Sequence, residues 1–99
     1  MNMQALMAQA QKMQRDIVKS KEEVEKQTFQ GKSEWITIEM NGAKKITSLK
    51  INFEGNLDEE DKEVLAEMFM IAYNDVLNKV DKETEKAMSK YGSALNGLF

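Results

Sequence analysis

Residues 2–27 contain neither glycine nor proline, and their apolar side chains fall alternately three and four positions apart. Met3, Ala10, Ile17 and Val24 take the a positions of a heptad, and Leu6 and Met13 take d. Ala, Gln, Met, Lys and Glu fill the rest, all good helix formers. The spacing predicts one helix from Asn2 to about Gln27, roughly 39 Å long at 1.5 Å per residue. A chain of 99 residues cannot cover such a rod alone. Part of it must project or meet a partner chain. Ser20 and Gln27 fall at d, so the apolar seam weakens toward the C-terminal end.

The next segments change period. Thr28–Ser33 reads as a short edge strand with Phe29 turned inward. From Glu34 to Met40 the pattern alternates: Ile36, Ile38 and Met40 share one face, Trp35, Thr37 and Glu39 the other. Asn41-Gly42 marks a hairpin turn, because both residues tolerate positive φ. A second strand runs to Phe53. A loop of even length keeps Ile36 and Ile38 on the Leu49 face, since a one-residue slip would flip every side chain. Glu54-Gly55-Asn56 is a turn. Asp58 is an N-cap, followed by Glu59, Glu60, Asp61 and Glu63 on the positive end of a helix. Val64, Leu65, Met68, Phe69, Ala72, Val76 and Val80 make a broad stripe suited to lying on a sheet. Beyond Val80 only Thr84, Ala87 and Met88 continue it, and a bend or restart near Asp81 is expected. Gly92 ends the helix. Residues 1–92 form a single α+β domain, and 93–99 are expected to be a flexible C-terminal tail with Leu95, Leu98 and Phe99.

Several function classes fall away. The chain has no cysteine and no histidine, which removes thiolate chemistry, the commonest general base and the commonest metal ligand. The acids at Asp58–Asp61 suit the start of a helix and lack the spacing of a calcium loop. No glycine-rich phosphate loop is present. No catalytic residue, metal or cofactor is expected, and no small-molecule substrate. Nor is a membrane partner, since no run of about 18 apolar residues occurs. With no signal-peptide pattern, the expected compartment is the cytoplasm. Eight methionines suit irregular packing and adaptable interfaces.

Charge is uneven. Fourteen basic and 17 acidic residues give a net charge of −3. Yet residues 1–21 hold four basic side chains, Lys12, Arg15, Lys19 and Lys21, against Asp16 alone. Lys12, Lys19 and Lys26 fall at c and Arg15 at f, away from the seam. A projecting helix with such an outer stripe can lie along phosphates. A charge stripe by itself is more often a solvated helix face, and the stripe formed by Lys79, Lys82, Lys86 and Lys90 reads the same way. Leu6, Met13, Ile17, Trp35 and Phe69 are the candidate packing or dimer residues, because one sheet face and much of the seam lack cover.

The order of motifs resembles the bacterial YbaB/EbfC family of nucleoid-associated proteins over essentially the whole chain. Met7-Ala-Gln-Ala-Gln-Lys-Met-Gln14 resembles its opening helix. Phe29-Gln-Gly-Lys-Ser33, the Asn41-Gly42 hairpin and Ile51-Asn-Phe53 resemble its sheet. Leu57-Asp-Glu-Glu-Asp-Lys-Glu-Val-Leu65 and Ala72-Tyr-Asn-Asp75 resemble its second long helix, and Gly97-Leu-Phe99 its tail. This chain lacks the proline common in that tail and is net acidic.

The resemblance implies a tweezer-like homodimer whose projecting helices bind double-stranded DNA at the nucleoid, with a role in nucleoid organisation and gene regulation. Lys12, Arg15, Lys19 and Lys26 then become DNA contacts, with Lys86 and Lys90 second. The alternative from another class is a protein-interaction adaptor that grips a partner helix through the seam and makes no use of DNA.

Overall fold

The computed structural model describes residues 2–92. The chain order is α1 (Met3–Glu25), β1 (Thr28–Lys32), β2 (Ile36–Asn41), β3 (Ile46–Ile51) and α2 (Glu59–Met88), closed by a 3-10 turn at Ser89–Tyr91. It is the expected α+β architecture. The expected tail lies outside the described residues.

Local chemistry sets the helix ends. The Asn2 side chain accepts from Gln4 N–H at 2.9 Å and starts α1. Asp58 and Asp61 form a reciprocal capping box on α2: Asp61 N–H donates to Asp58 Oδ1 at 2.8 Å, and Asp58 N–H to Asp61 Oδ2 at 3.1 Å. α2 does not restart at Asp81; its 30 residues form one helix. No glycine or proline interrupts it. Thr84, Ala87 and Met88 are half-buried, so the thin seam suffices to hold the last turns. Asp81 itself is tied to Lys44 at 3.0 Å.

The three strands are antiparallel in the order β1-β2-β3. Phe29 faces Met40 and Gly31 faces Ile38, so Phe29 does turn inward. β2 begins at Ile36 rather than Glu34. Trp35 therefore sits in the bend before the strand. It packs against the core and meets Phe53 edge-on, with ring centroids 4.7 Å apart. Its own chain thus provides part of the cover that alternation left open.

The hairpin corrects two expectations. Met40 pairs with Ile46, which leaves five residues between them, an odd number. A bulge between Glu39 and Met40 restores the parity, so Ile38 still faces Leu49 and Ile36 faces Ile51. The positive φ falls on Lys44, at 65°, and on neither Asn41 nor Gly42. Asn41 acts instead through its side chain, whose Oδ1 accepts from Ala43 N–H at 2.9 Å and Lys45 N–H at 3.1 Å. Gly42 is needed because a Cβ there would run into the Val24 carbonyl at the end of α1.

α2 crosses β1 and β2. Ile36, Ile38, Met40, Ala72, Val76 and Val80 are fully buried between the layers. Each such large side chain contributes about 1.5–3 kcal/mol over exposure. The layers touch at Gly31, where a Cβ would collide with the Ala72 carbonyl and lie 2.7 Å from Val76 Cβ. The β1 edge is stapled by α2 side chains: Asp75 accepts from Lys32 N–H at 3.1 Å, and Lys79 Nζ donates to the Gln30 carbonyl at 2.7 Å. Asp75 and Lys79 also pair at 3.4 Å. The Lys32 N–H holds the Asp75 carboxyl below its usual pKa, against slight desolvation and with help from Lys79.

Two predictions follow from this packing. Gly31→Ala should lower the unfolding free energy by about 3 kcal/mol, read from the urea midpoint, because the obstructing atoms are backbone and cannot give way. Asp75 has a depressed folded pKa, so its contribution is present above the unfolded carboxylate value and is lost as pH falls through the folded value. Asp75→Ala should therefore be less stable than the parent at neutral pH, with the gap narrowing below about pH 4 in parallel melts.

Candidate nucleic-acid interface

The site begins with how α1 leaves the body. Residues 2–16 are all exposed, Ile17 is half-buried, and only Ser20 and Val24 are buried. The seam is therefore covered at its weaker, C-terminal end. Met3 is 73% exposed, Leu6 46% and Met13 44%. The reason is reach: among the described residues, the body meets α1 between the hairpin turn at Gly42 and the end of α2. The molecule is correspondingly elongated, 71 × 20 × 15 Å.

On a helix of 3.6 residues per turn, Lys12, Arg15, Lys19 and Lys26 fall opposite the Leu6–Ile17 seam. All four are exposed. Among the described residues, none of them comes within ion-pairing distance of a carboxylate. The stripe from Lys12 to Lys26 is roughly 21 Å long, about six base-pair steps of a duplex. Asp16, Glu22 and Glu23 border it, so the cations are interleaved with acids on the same helix.

Structure brings some of the sequence candidates together and separates others. Lys12 and Lys19 share a shallow groove with Lys90 and Tyr91 from the end of α2. Lys90 Nζ sits 5.2 Å over the Tyr91 ring. Arg15 and Lys19 border a second groove on the other flank of α1, with Gln11, Gln14, Ile17 and Val18. Lys26 at the end of α1 and Lys86 in the last turn of α2 are exposed but border neither groove. Lys79 is occupied by Asp75 and the Gln30 carbonyl, which makes it structural.

Phe69 packs on the core and stacks on Tyr73 at 5.7 Å. Sequence reasoning missed the contact of Tyr91 with Ser20; a polar d position facing a tyrosine was its one trace. It also missed a second uncovered surface. α2 lies over β1 and β2, so the inward side chains of β3 are left bare: Ile46, Leu49 and Ile51 are 43, 48 and 52% exposed. Among the described residues, no group of acids is placed to hold a metal ion, and no helix is long and apolar enough to cross a membrane.

Comparison with known proteins gives a family and several relatives. A model of the YbaB/EbfC DNA-binding family matches residues 1–95. The chain is 41% identical over 97 residues to a nucleoid-associated protein of Lactococcus lactis subsp. cremoris, covering 96% of this chain and 97% of that one. It is 35% identical over 99 residues to one from Enterococcus faecalis, covering 98% and 94%. To one from Ligilactobacillus salivarius it is 33% identical over 100 residues, covering 99% and 95%.

Proposed function

The chain belongs to the YbaB/EbfC DNA-binding family, and on that premise we propose a nucleoid-associated protein that grips double-stranded DNA as a homodimer, through phosphate contacts from its projecting helices. The observation that carries this reading is the cationic stripe of Lys12, Arg15, Lys19 and Lys26, unpaired among the described residues, on a helix that stands clear of the body. Lys90, beside Lys12 and Lys19, and then Lys86 extend it. The cations suit phosphate, and no Arg-rich helix is present to read base edges. Binding of this kind is weakly sequence-selective and steep in salt. The place of action is the nucleoid in the cytoplasm, the activity is binding rather than catalysis, and it requires no cofactor.

The dimer is favoured by the bare face of β3. Ile46, Leu49 and Ile51 form an apolar row on an edge strand, and a second copy related by a two-fold axis would cover it with the same row. Two stripes then meet one duplex, and avidity offsets weak single contacts. A second reading draws on the exposed Leu6 and Met13: a protein-interaction adaptor that takes a partner helix along the α1 seam.

Fluorescence anisotropy with a labelled duplex tests the DNA reading. Log affinity should fall linearly with log salt, and Lys12→Gln should flatten the slope by about 0.9 for each stripe engaged. Lys12→Glu/Arg15→Glu/Lys19→Glu should abolish retention while circular dichroism stays unchanged. Salt-independent binding, or full binding by the triple variant, refutes the mechanism. A parent chain that fails to bind duplex but captures an amphipathic helical peptide, with capture lost in Leu6→Asp/Met13→Asp and kept in the triple charge variant, would instead favour the adaptor. Sedimentation should give a dimer that Leu49→Asp/Ile51→Asp converts to monomer; a monomeric parent chain at micromolar concentration overturns the dimer.

A further inference from the structure

Tyr91 lies outside the cationic stripe, where the end of α2 meets the middle of α1. It ends the 3-10 turn that follows α2. Its hydroxyl lies 3.0 Å from the main-chain oxygen of Asp16 and 2.8 Å from Ser20 Oγ, bridging 75 and 71 residues of sequence. One phenolic proton cannot serve both. Tyr91 donates to the Asp16 carbonyl, which can only accept, and the Ser20 hydroxyl donates to Tyr91. Ser20 is the one buried polar residue of the described chain, at a seam position where the heptad calls for an apolar side chain. Its burial is explained by this bond.

The bridge is the second of two grips on α1. The first is at the opposite end of the contact, where the Val24 and Glu25 backbone presses on Gly42 and Gly42 N–H donates to the Gln27 carbonyl at 3.1 Å. From Val24 to Asp16 is roughly 12 Å of helix; from Asp16 to Met3 is roughly 20 Å more, all of it exposed. Held at Val24 alone, a swing of about ten degrees would carry the Lys12 backbone, roughly 18 Å away, by roughly 3 Å. That exceeds the tolerance of a hydrogen bond between a lysine and a phosphate. The second grip also fixes Lys90, whose ammonium lies over the Tyr91 ring, alongside Lys12 and Lys19.

We propose that Tyr91 is a positioning residue for nucleic-acid binding: a clamp that sets the direction of the projecting helix and joins the α2 cation to the α1 stripe. This role rests on the DNA-binding reading above.

Tyr91→Phe tests it, because the ring stays under Lys90 while both hydrogen bonds go. A dye on Met7→Cys reports the rod alone, since the chain has no cysteine of its own. Time-resolved anisotropy of that dye should show a wider segmental motion in Tyr91→Phe. Duplex affinity should fall roughly three- to tenfold, the scale of one or two lost hydrogen bonds. The oligomeric state should not change. Ser20→Ala, which removes one of the two bonds, should move both readouts in the same direction by less; it carries the test if Tyr91→Phe does not fold. Unchanged dye motion overturns the clamp. So does freed motion with unchanged affinity, when the parent binds tightly. A parent chain that fails to retain duplex sinks the DNA reading first, and this role with it.

Discussion

The closest approach of the two layers, at Gly31, governs what the rest of the chain can do. Because β1 presents no side chain there, α2 settles its Ala72 and Val76 turns directly onto the strand. That contact centres the helix over β1 and β2. Three consequences follow from one crossing. The core closes around Ile36, Ile38 and Met40. β3 is left with an uncovered apolar row. And the far end of α2, carried past the sheet, delivers Tyr91 and Lys90 to the side of α1. The body is thus built to leave two surfaces unfinished, one apolar and one cationic.

A net charge of −3 looks unsuited to a polyanionic partner until distance is considered. The acids gather at the start of α2, where residues 58–67 hold six against Lys62, and there they stabilise the helix dipole. The cations that face α1 lie at the other end of the same helix. Thirty residues of α2 separate the two by roughly 40 Å. The Debye length at physiological salt is about 8 Å, so a phosphate at the stripe is screened from the acidic turn. What it meets is Lys12, Arg15, Lys19 and Lys90, with Asp16, Glu22 and Glu23 as the near acids. Net charge describes solubility here and says little about the site.

The parts of this molecule that were legible in the sequence are those fixed by neighbours within a turn or a strand. Heptad spacing gave α1, alternation gave β2, and Asp58 gave the start of α2. Several of the misreadings involve distant partners. The hairpin count came out odd because the bulge at Glu39/Met40 absorbs a residue, and because Gly42 answers to Val24 rather than to its own φ. Trp35 lost its strand position to a bend but gained Phe53. α1 is buried where its heptad is poorest, since Ser20 is satisfied by a tyrosine 71 residues away. Of the site, the stripe could be read from i, i+3 and i+4 spacing; its union with Lys90 could not, because nothing local says that the end of α2 returns to Asp16.

The two faces of α1 also bear on how the DNA and adaptor readings relate. Leu6, Met13 and Ile17 lie on one side of the helix and Lys12, Arg15 and Lys19 on the other. The two sides meet at the grooves flanking the helix, where Ile17 lies beside Arg15 and Lys19, and Met13 beside Lys12 and Lys19. A bulky occupant of the seam at these turns would crowd a duplex on the cations, whereas one seated nearer Leu6 would not. The surfaces are also coupled through the direction of the rod, which the Gly42 and Tyr91 contacts set from below. An occupant near Leu6 that stiffens the exposed half of α1 would lower the entropy lost when the stripe is ordered on phosphate, and so would strengthen DNA binding without touching it.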